Sequence, residues 1–311
     1  MALFIQTPRN DRAIASVGPY RRHLNALTGA GTNIQRRLSR GGLANYEPDL
    51  QATLLALAQS PTQRVFYDVG AHIGFFSALL TSVYRGNGLQ AFAFEPTPST
   101  FQRALQIRDQ NHLGYAVQPC ALSNTVGTTQ LYLSTKAETS NSLNSEFRPG
   151  STAIEVRCET IDSVVEAGLP PPTLVKIDVE TFEPQVLLGG MKTIRRHKPW
   201  ISCEFLADTD KEKLEQALEF LEELGYGFHQ ISSNVPWERL NRSSVMGRRS
   251  SKAGSRDWLV APKDLSAPFF KRFRSWRRAV GKCDLNSNIR SDDKMVRKQL
   301  RSRLWEPLTS E

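Results

Sequence analysis

Only four cysteines occur, Cys120, Cys158, Cys203 and Cys283, and no CxxC pair joins any of them, which removes a zinc knot or a redox dithiol from consideration. The five histidines offer no HExxH and no paired ligand spacing, which argues against a zinc site of that kind. GxGxxG is missing, and so is GxxxxGK followed by Ser or Thr, which argues against a dinucleotide or a nucleoside triphosphate seated by its phosphates. DPPY and NPPY, which would favour an exocyclic amine acceptor, are absent too. No apolar stretch approaches the roughly 20 residues of a membrane helix. The opening MALFIQTPRN has too short an apolar run for a signal peptide, so a cytoplasmic location is expected.

What the chain does have is a sizeable core. At 311 residues and 40% hydrophobic content, one large domain with decorated ends is expected. The formal charge is +9, and the segment from 263 to 311 holds about 13 Lys/Arg against 6 Asp/Glu, so most of the excess sits there. That segment reads as a basic extension: solvated, or touching a nucleic acid, an anionic membrane or an acidic partner. Its stretch FFKRFRSWRR has Phe270, Phe273 and Trp276 at helical spacing, suited to an anionic surface or to packing on the preceding domain and covering its mouth.

Residues 1–46, rich in Gly, Arg, Asn and Thr, predict loop and one short helix. From 47 onward apolar strands alternate with helices: EPDLQATLLALAQ, RVFYDVG, a helix from about Gly74, LQAFAFEP, TPSTFQRALQIRDQNH. YAVQPCALS, TTQLYLS and AIEVRCETI form a β stretch; then come the strand PTLVKIDVE, one helix PQVLLGGMKTIRRH, the strand PWISCEFL, a helix capped by Asp210, and two last strands, GFHQIS and DWLVAPK. Such alternation predicts an α/β fold, a mainly parallel open sheet with helices on both faces. The expected layout is an extension over 1–46, a catalytic domain over 47–262 and the basic extension over 263–311.

Ligands in such sheets bind beyond the carboxyl ends of the strands. There, FYDVGAHIGFF turns on Gly70 and Gly74 into a helix, and Glu95 closes the second strand, placed to accept hydrogen bonds from both hydroxyls of an adenosine ribose. An adenosine without phosphates and with a zwitterionic tail is S-adenosylmethionine. Asp68 is expected to face its ammonium, or else to cap the following helix. His72, at a helix N-terminus that disfavours its cation, is expected to bond the methionine end as a neutral ring or to fill the turn.

The blocks YDVGAHIGFFSALL, AFAFEPTPSTFQRAL, CALSNTVGTTQLYLS, ETIDSV, TLVKIDVETFEPQVLLGG and PWISCEF resemble, in order and spacing, the FkbM family of S-adenosylmethionine-dependent methyltransferases, over residues 62–232. The resemblance implies a Rossmann-like class I methyltransferase with a seven-stranded sheet. It implies cofactor contacts at Asp68, Gly70, Gly74 and Glu95, and at Ser123 and Asn124 beside the adenine. It also implies that Lys176, Asp178, Glu180 and Glu183 face the transferred methyl group. His72 and Thr181 depart from the family's usual Asn and Gly, and Thr181 is expected to narrow the acceptor pocket.

On an extended strand Lys176, Asp178 and Glu180 would share one face, with Asp178 the base that takes the acceptor's proton. Glu180 and Glu183 could instead anchor the next helix. Glu204 would enter the same rim. No metal is required, although Asp178, Glu180 and Glu204 could together hold a divalent ion. The expected activity is methyl transfer to a hydroxyl of a small molecule, sugar or glycan. The alternative is a non-enzymatic or nucleic-acid-directed protein that uses the fold and the basic tail for binding.

Overall fold

Residues 3–6, 21–24, 27, 31–60, 62, 64–84, 87–134, 141–147, 152–248 and 255–283 are described by the computed structural model. Two short strands, β1 (Leu3–Gln6) and β2 (Arg21–Leu24), pair antiparallel ahead of helix α1 (Asn33–Gly41), where the sequence predicts only loop and a helix. Thr32 starts α1 by accepting from the Gln35 N–H. Helix α2 (Pro48–Ala58) carries Pro48 in its first turn, where the missing N–H has no intrahelical partner to lose, and is buried from Leu50 to Ala58.

Strand and helix then alternate through β3 (Val65–Val69), α3 (Phe75–Val83), β4 (Gln90–Phe94), α4 (Pro98–Gln110) and β5 (Ala116–Gln118). The chain next leaves the main sheet. Strands β6 (Ala121–Leu122), β7 (Gly127–Leu133) and β8 (Thr152–Glu159) form a separate sheet in the order β6-β8-β7, so YAVQPCALS is two strands in two sheets. Helix α5 (Ile161–Glu166), with a capping box between Thr160 and Ser163, leads back to β9 (Leu174–Ile177). Helices α6 (Glu183–Leu188) and α7 (Met191–His197) follow where one helix was expected. They break at Gly189, where a Cβ would lie 1.9 Å from the Ser123 carbonyl oxygen. Strand β10 (Trp200–Glu204), α8 (Lys211–Glu223) with its Asp210 cap, β11 (Gly227–Gln230), α9 (Arg242–Arg248), β12 (Asp257–Ala261) and α10 (Ala267–Gly281) complete the described chain.

The main sheet has seven strands in the order β11-β12-β10-β9-β3-β4-β5. Every pair is parallel except those of β12, which runs against both neighbours. This is the expected mostly parallel α/β architecture. Its pleat divides the core. Phe66 and Leu174 pack on one face with Leu54, Leu79 and Trp276, while Tyr67, Val69, Val175 and Ile177 pack on the other with Val186, Leu214 and Leu218.

Helix α10 belongs to the first of these faces. Phe269, Phe270, Phe273, Trp276 and Val280 form its buried stripe. Arg272 Nε donates to the Ala56 carbonyl at 3.0 Å and Trp276 Nε1 to Gln59 at 2.9 Å, while Arg277 pairs with Asp49. The opposite face, Lys271, Arg274 and Arg278, is exposed. Residues 284–311, most of the basic extension, lie outside the described residues. No helix among the described residues is long and apolar enough to cross a membrane.

Candidate functional site

A cavity of about 780 Å³ opens at the carboxyl ends of the parallel strands. Its floor depends on one glycine. Gly70, at φ 71°, follows β3, and a Cβ there would lie 1.9 Å from the Asp178 carbonyl oxygen. The Asp178 N–H donates to the Val69 carbonyl at 3.1 Å, so the loops after β3 and β9 touch backbone to backbone. Any larger residue would push Asp178 away. Gly74, at φ 72°, lets the chain enter α3 beneath Tyr115 and does not reach the cavity wall.

Glu95 stands on the wall at the tip of β4 and ties three segments together. Its Oε2 accepts from the His72 N–H at 2.8 Å, and its Oε1 from the Thr97 N–H at 2.9 Å and the Thr100 hydroxyl at 2.8 Å. A carboxylate offers about four acceptor sites. Oε2 therefore has room for another donor, and Thr100 can turn to the Thr97 carbonyl, 3.1 Å away, which frees a second place on Oε1. Glu95 can thus accept from two neighbouring hydroxyls. His72, at φ 51°, lines the cavity beside it.

Asp68 is elsewhere. It is fully buried, accepts from the Ser77 N–H at 3.0 Å and the Ser77 hydroxyl at 2.8 Å, and is not on the wall. Register explains its second partner: Asp68 and Lys176 face each other across β3 and β9, on the same side of the sheet. Lys176 Nζ lies 3.7 Å from Asp68 and 3.3 Å from Asp178, and 5.4 Å from the Phe76 ring centre. Burial pulls the Lys176 ammonium down, but Asp178 and Asp68 outweigh it and hold the group well above its ordinary pKa. Burial pushes the Asp68 carboxyl up against Lys176 and the two Ser77 bonds.

Lys176, Asp178 and Glu180 all reach the cavity, as expected, but by a different route. Strand β9 ends at Ile177, and Glu180 and Thr181 take left-handed conformations at φ 54° and 79°. The pleat therefore does not carry through to Glu180; a tight turn does. Thr181 is buried, accepts from Asn144 Nδ2 at 3.0 Å and is off the wall, so it does not narrow the pocket directly. Glu183 is buried at the start of α6, where its Oε1 accepts from the Val179 N–H at 3.0 Å, and burial pushes its carboxyl up to about 8. Ser123 and Asn124 also miss the cavity. The crossing into the second sheet brings Ala121 and Leu122 to the wall instead.

Several wall residues carry no mark in the sequence reading. Glu204 was expected there; Asp257, its register partner on antiparallel β12, was not. Because β12 runs the other way, its first residue lies at the same edge as the last residues of the parallel strands, which is the signal that could have found it. Burial, then Asp178, raise the Asp257 carboxyl to about 6 and also raise that of Glu204, against Arg256 at 3.1 Å from Glu204. Arg37 of α1, with Tyr46 and Glu47 ahead of α2, also lines the cavity. Among the described residues, no three His, Cys, Asp or Glu side chains come together in a way that could hold a metal ion, Asp178, Glu180 and Glu204 included.

Known proteins resemble this chain in sequence and in fold. A family model of the methyltransferase FkbM domain matches residues 68–228. A hexuronic acid methyltransferase of Haloferax volcanii, AglP, is 32% identical over 200 residues, which cover 63% of this chain and 75% of that protein. Among solved structures, a methyltransferase FkbM from Methylobacillus flagellatus aligns with a TM-score of 0.43 at 14% identity, over 80% of this chain and 58% of its own. An O-methyltransferase from Thermotoga maritima aligns with a TM-score of 0.37 at 11% identity, over 70% of this chain and 67% of its own. With the family domain spanning just over half of its residues and a relative matched over three quarters of its length, the chain belongs to the FkbM methyltransferase family.

Proposed function

We propose that this chain uses S-adenosylmethionine to methylate a hydroxyl oxygen of a sugar or other small molecule. The observation that carries the reading is the pairing, in one cavity, of Glu95 with acceptor capacity for two hydroxyls and of Asp178 with its carboxylate beside Lys176. The Gly70 turn supports it, because it leaves backbone where a Cβ would intrude. Glu95 would hold the ribose, and Ala121 and Leu122 would border the adenine. When bound, the cofactor supplies an electrophilic methyl group on a cationic sulfur.

The remaining work falls to this chain's own groups. Asp178 is the base: it sits at the tip of β9 and accepts the hydroxyl proton as the oxygen attacks. Lys176, fixed between Asp68 and Asp178, keeps that carboxylate in place. Asp68 acts through Lys176 and through the Ser77 turn of α3, and not on the ligand. The hexuronic acid acceptor of the Haloferax relative supports a sugar among the possible acceptors.

Incubation with methyl-labelled S-adenosylmethionine and a panel of neutral and acidic sugars tests the proposal. The expected outcome is label in a sugar, bound as an alkali-stable ether. Label released by mild alkali would place the methyl group on a carboxyl oxygen and overturn the hydroxyl assignment.

A further inference from the structure

The cofactor reading leaves one end of the ligand without partners. A zwitterionic amino-acid tail needs an anion for its ammonium and a cation for its carboxylate. Asp68, the acid that sequence spacing assigns to the ammonium, is fully buried, engaged by Ser77 and Lys176, and off the cavity wall. The groups must come from elsewhere.

Residues ahead of the family domain supply both charges. Glu47 lines the cavity as the residue before α2, yet its side chain does not cap that helix. It holds a left-handed backbone at φ 43°, a conformation that costs a non-glycine residue energy and that collects at functional sites. Its Oε2 is buried without a hydrogen-bond partner among the described residues. A buried carboxylate oxygen left unpaired is costly unless a ligand completes it. Burial pushes the Glu47 carboxyl up to about 8, with Asp257 and Asp178 adding to the rise and Lys176 and Arg37 opposing it.

Arg37 approaches from α1. Its guanidinium lies over the Tyr46 ring at 5.0 Å and, among the described residues, makes no hydrogen bond or ion pair. Tyr46 is itself fixed against Phe75, with ring centres 5.1 Å apart, at the start of the helix that follows the glycine loop. Arg37 is thereby held by its face, leaving its edge of N–H donors for an anion. Glu47 and Arg37 flank Tyr46 and do not pair with each other, which leaves an acid and a cation for a ligand, and an ammonium beside Glu47 would favour its ionised form against the burial that raises it.

We propose that Glu47 and Arg37 grip the amino-acid tail of the cofactor, Glu47 binding its ammonium and Arg37 its carboxylate. The proposal rests on the S-adenosylmethionine reading of the cavity. It makes the segment ahead of the family domain part of the cofactor site.

Titration calorimetry with two ligands tests it. S-adenosylhomocysteine carries the amino-acid tail; methylthioadenosine keeps the nucleoside and lacks the tail. In Glu47→Gln and in Arg37→Ala, affinity for S-adenosylhomocysteine should fall about tenfold or more. Affinity for methylthioadenosine should stay within about twofold of the parent, since its contacts lie at Glu95 and the glycine loop. Folded variants that bind S-adenosylhomocysteine as the parent does would overturn the proposal, as would an equal loss for both ligands. If the parent bound neither ligand, the cofactor reading itself would fall, and this inference with it; a parent that binds both while the variants discriminate between them supports both statements.

Discussion

Asp178→Asn is expected to lower turnover by roughly 10²–10⁴ while cofactor affinity stays within a few-fold. The substitution keeps the shape of the side chain and leaves the backbone bond from Asp178 to Val69 untouched. Lys176 retains Asp68 as a partner at 3.7 Å, so the buried ammonium is not left unpaired. What disappears is a group able to take the acceptor's proton. Steady-state rates with labelled cofactor, set beside calorimetric affinities for S-adenosylhomocysteine, separate the two effects. Normal turnover would assign the proton to another acceptor, His72 on the cavity wall or water.

Removing α10 should have a comparably large effect, on folding instead of chemistry. Its buried stripe closes one face of the sheet, and Trp276 and Phe273 are fully buried against α2 and its surroundings. A chain ending at Ala261 would expose that face, and loss of the cooperative thermal transition in circular dichroism is expected. Trp276→Ala isolates the contribution. It vacates a large buried volume and strands the Gln59 partner, at a cost of about 3–5 kcal/mol. For a domain of this size that lowers the midpoint by roughly 6–20 °C. A truncated chain that melts cooperatively at the full-length midpoint would show that the helix is an appendage.

Much of the fold was legible because buried strands and amphipathic helices alternate with clear punctuation. The glycine loop and Glu95 could be placed by strand order alone. What escaped reading depended on tertiary context. Gly189-Gly190 marks a tight contact or a kink in the helix predicted over 184–197, but only the fold shows what the contact is with: the Ser123 carbonyl oxygen, which occupies the space of a Cβ. YAVQPCALS reads as one strand, yet it splits because Ala121 and Leu122 pair with β8. Asp68 sits in the family's cofactor loop, but the pleat turns it inward onto Lys176, and burial is not visible in a motif. Arg37, Glu47 and Asp257 reach the cavity from segments distant in sequence, two of them outside any strand, so spacing gave them no signature.

The helix FFKRFRSWRR illustrates how one pattern serves two readings. Its apolar stripe fits a membrane surface as well as a protein core. The polar bonds decide: Trp276 to Gln59, Arg272 to the Ala56 carbonyl and Arg277 to Asp49 fix it to α2. The exposed cations Lys271, Arg274 and Arg278 remain on the other side.

The central prediction is that Glu95 holds the ribose of the cofactor. Calorimetric titration of the parent and of Glu95→Ala with S-adenosylhomocysteine measures this directly, with thermal unfolding of the unliganded variant as a check, since Glu95 also holds the starts of α4 and of the glycine loop. Loss of charge-assisted bonds to two hydroxyls should cost about 1.5–3 kcal/mol, a roughly ten- to hundredfold weaker affinity. A folded Glu95→Ala variant that binds S-adenosylhomocysteine as tightly as the parent would contradict it.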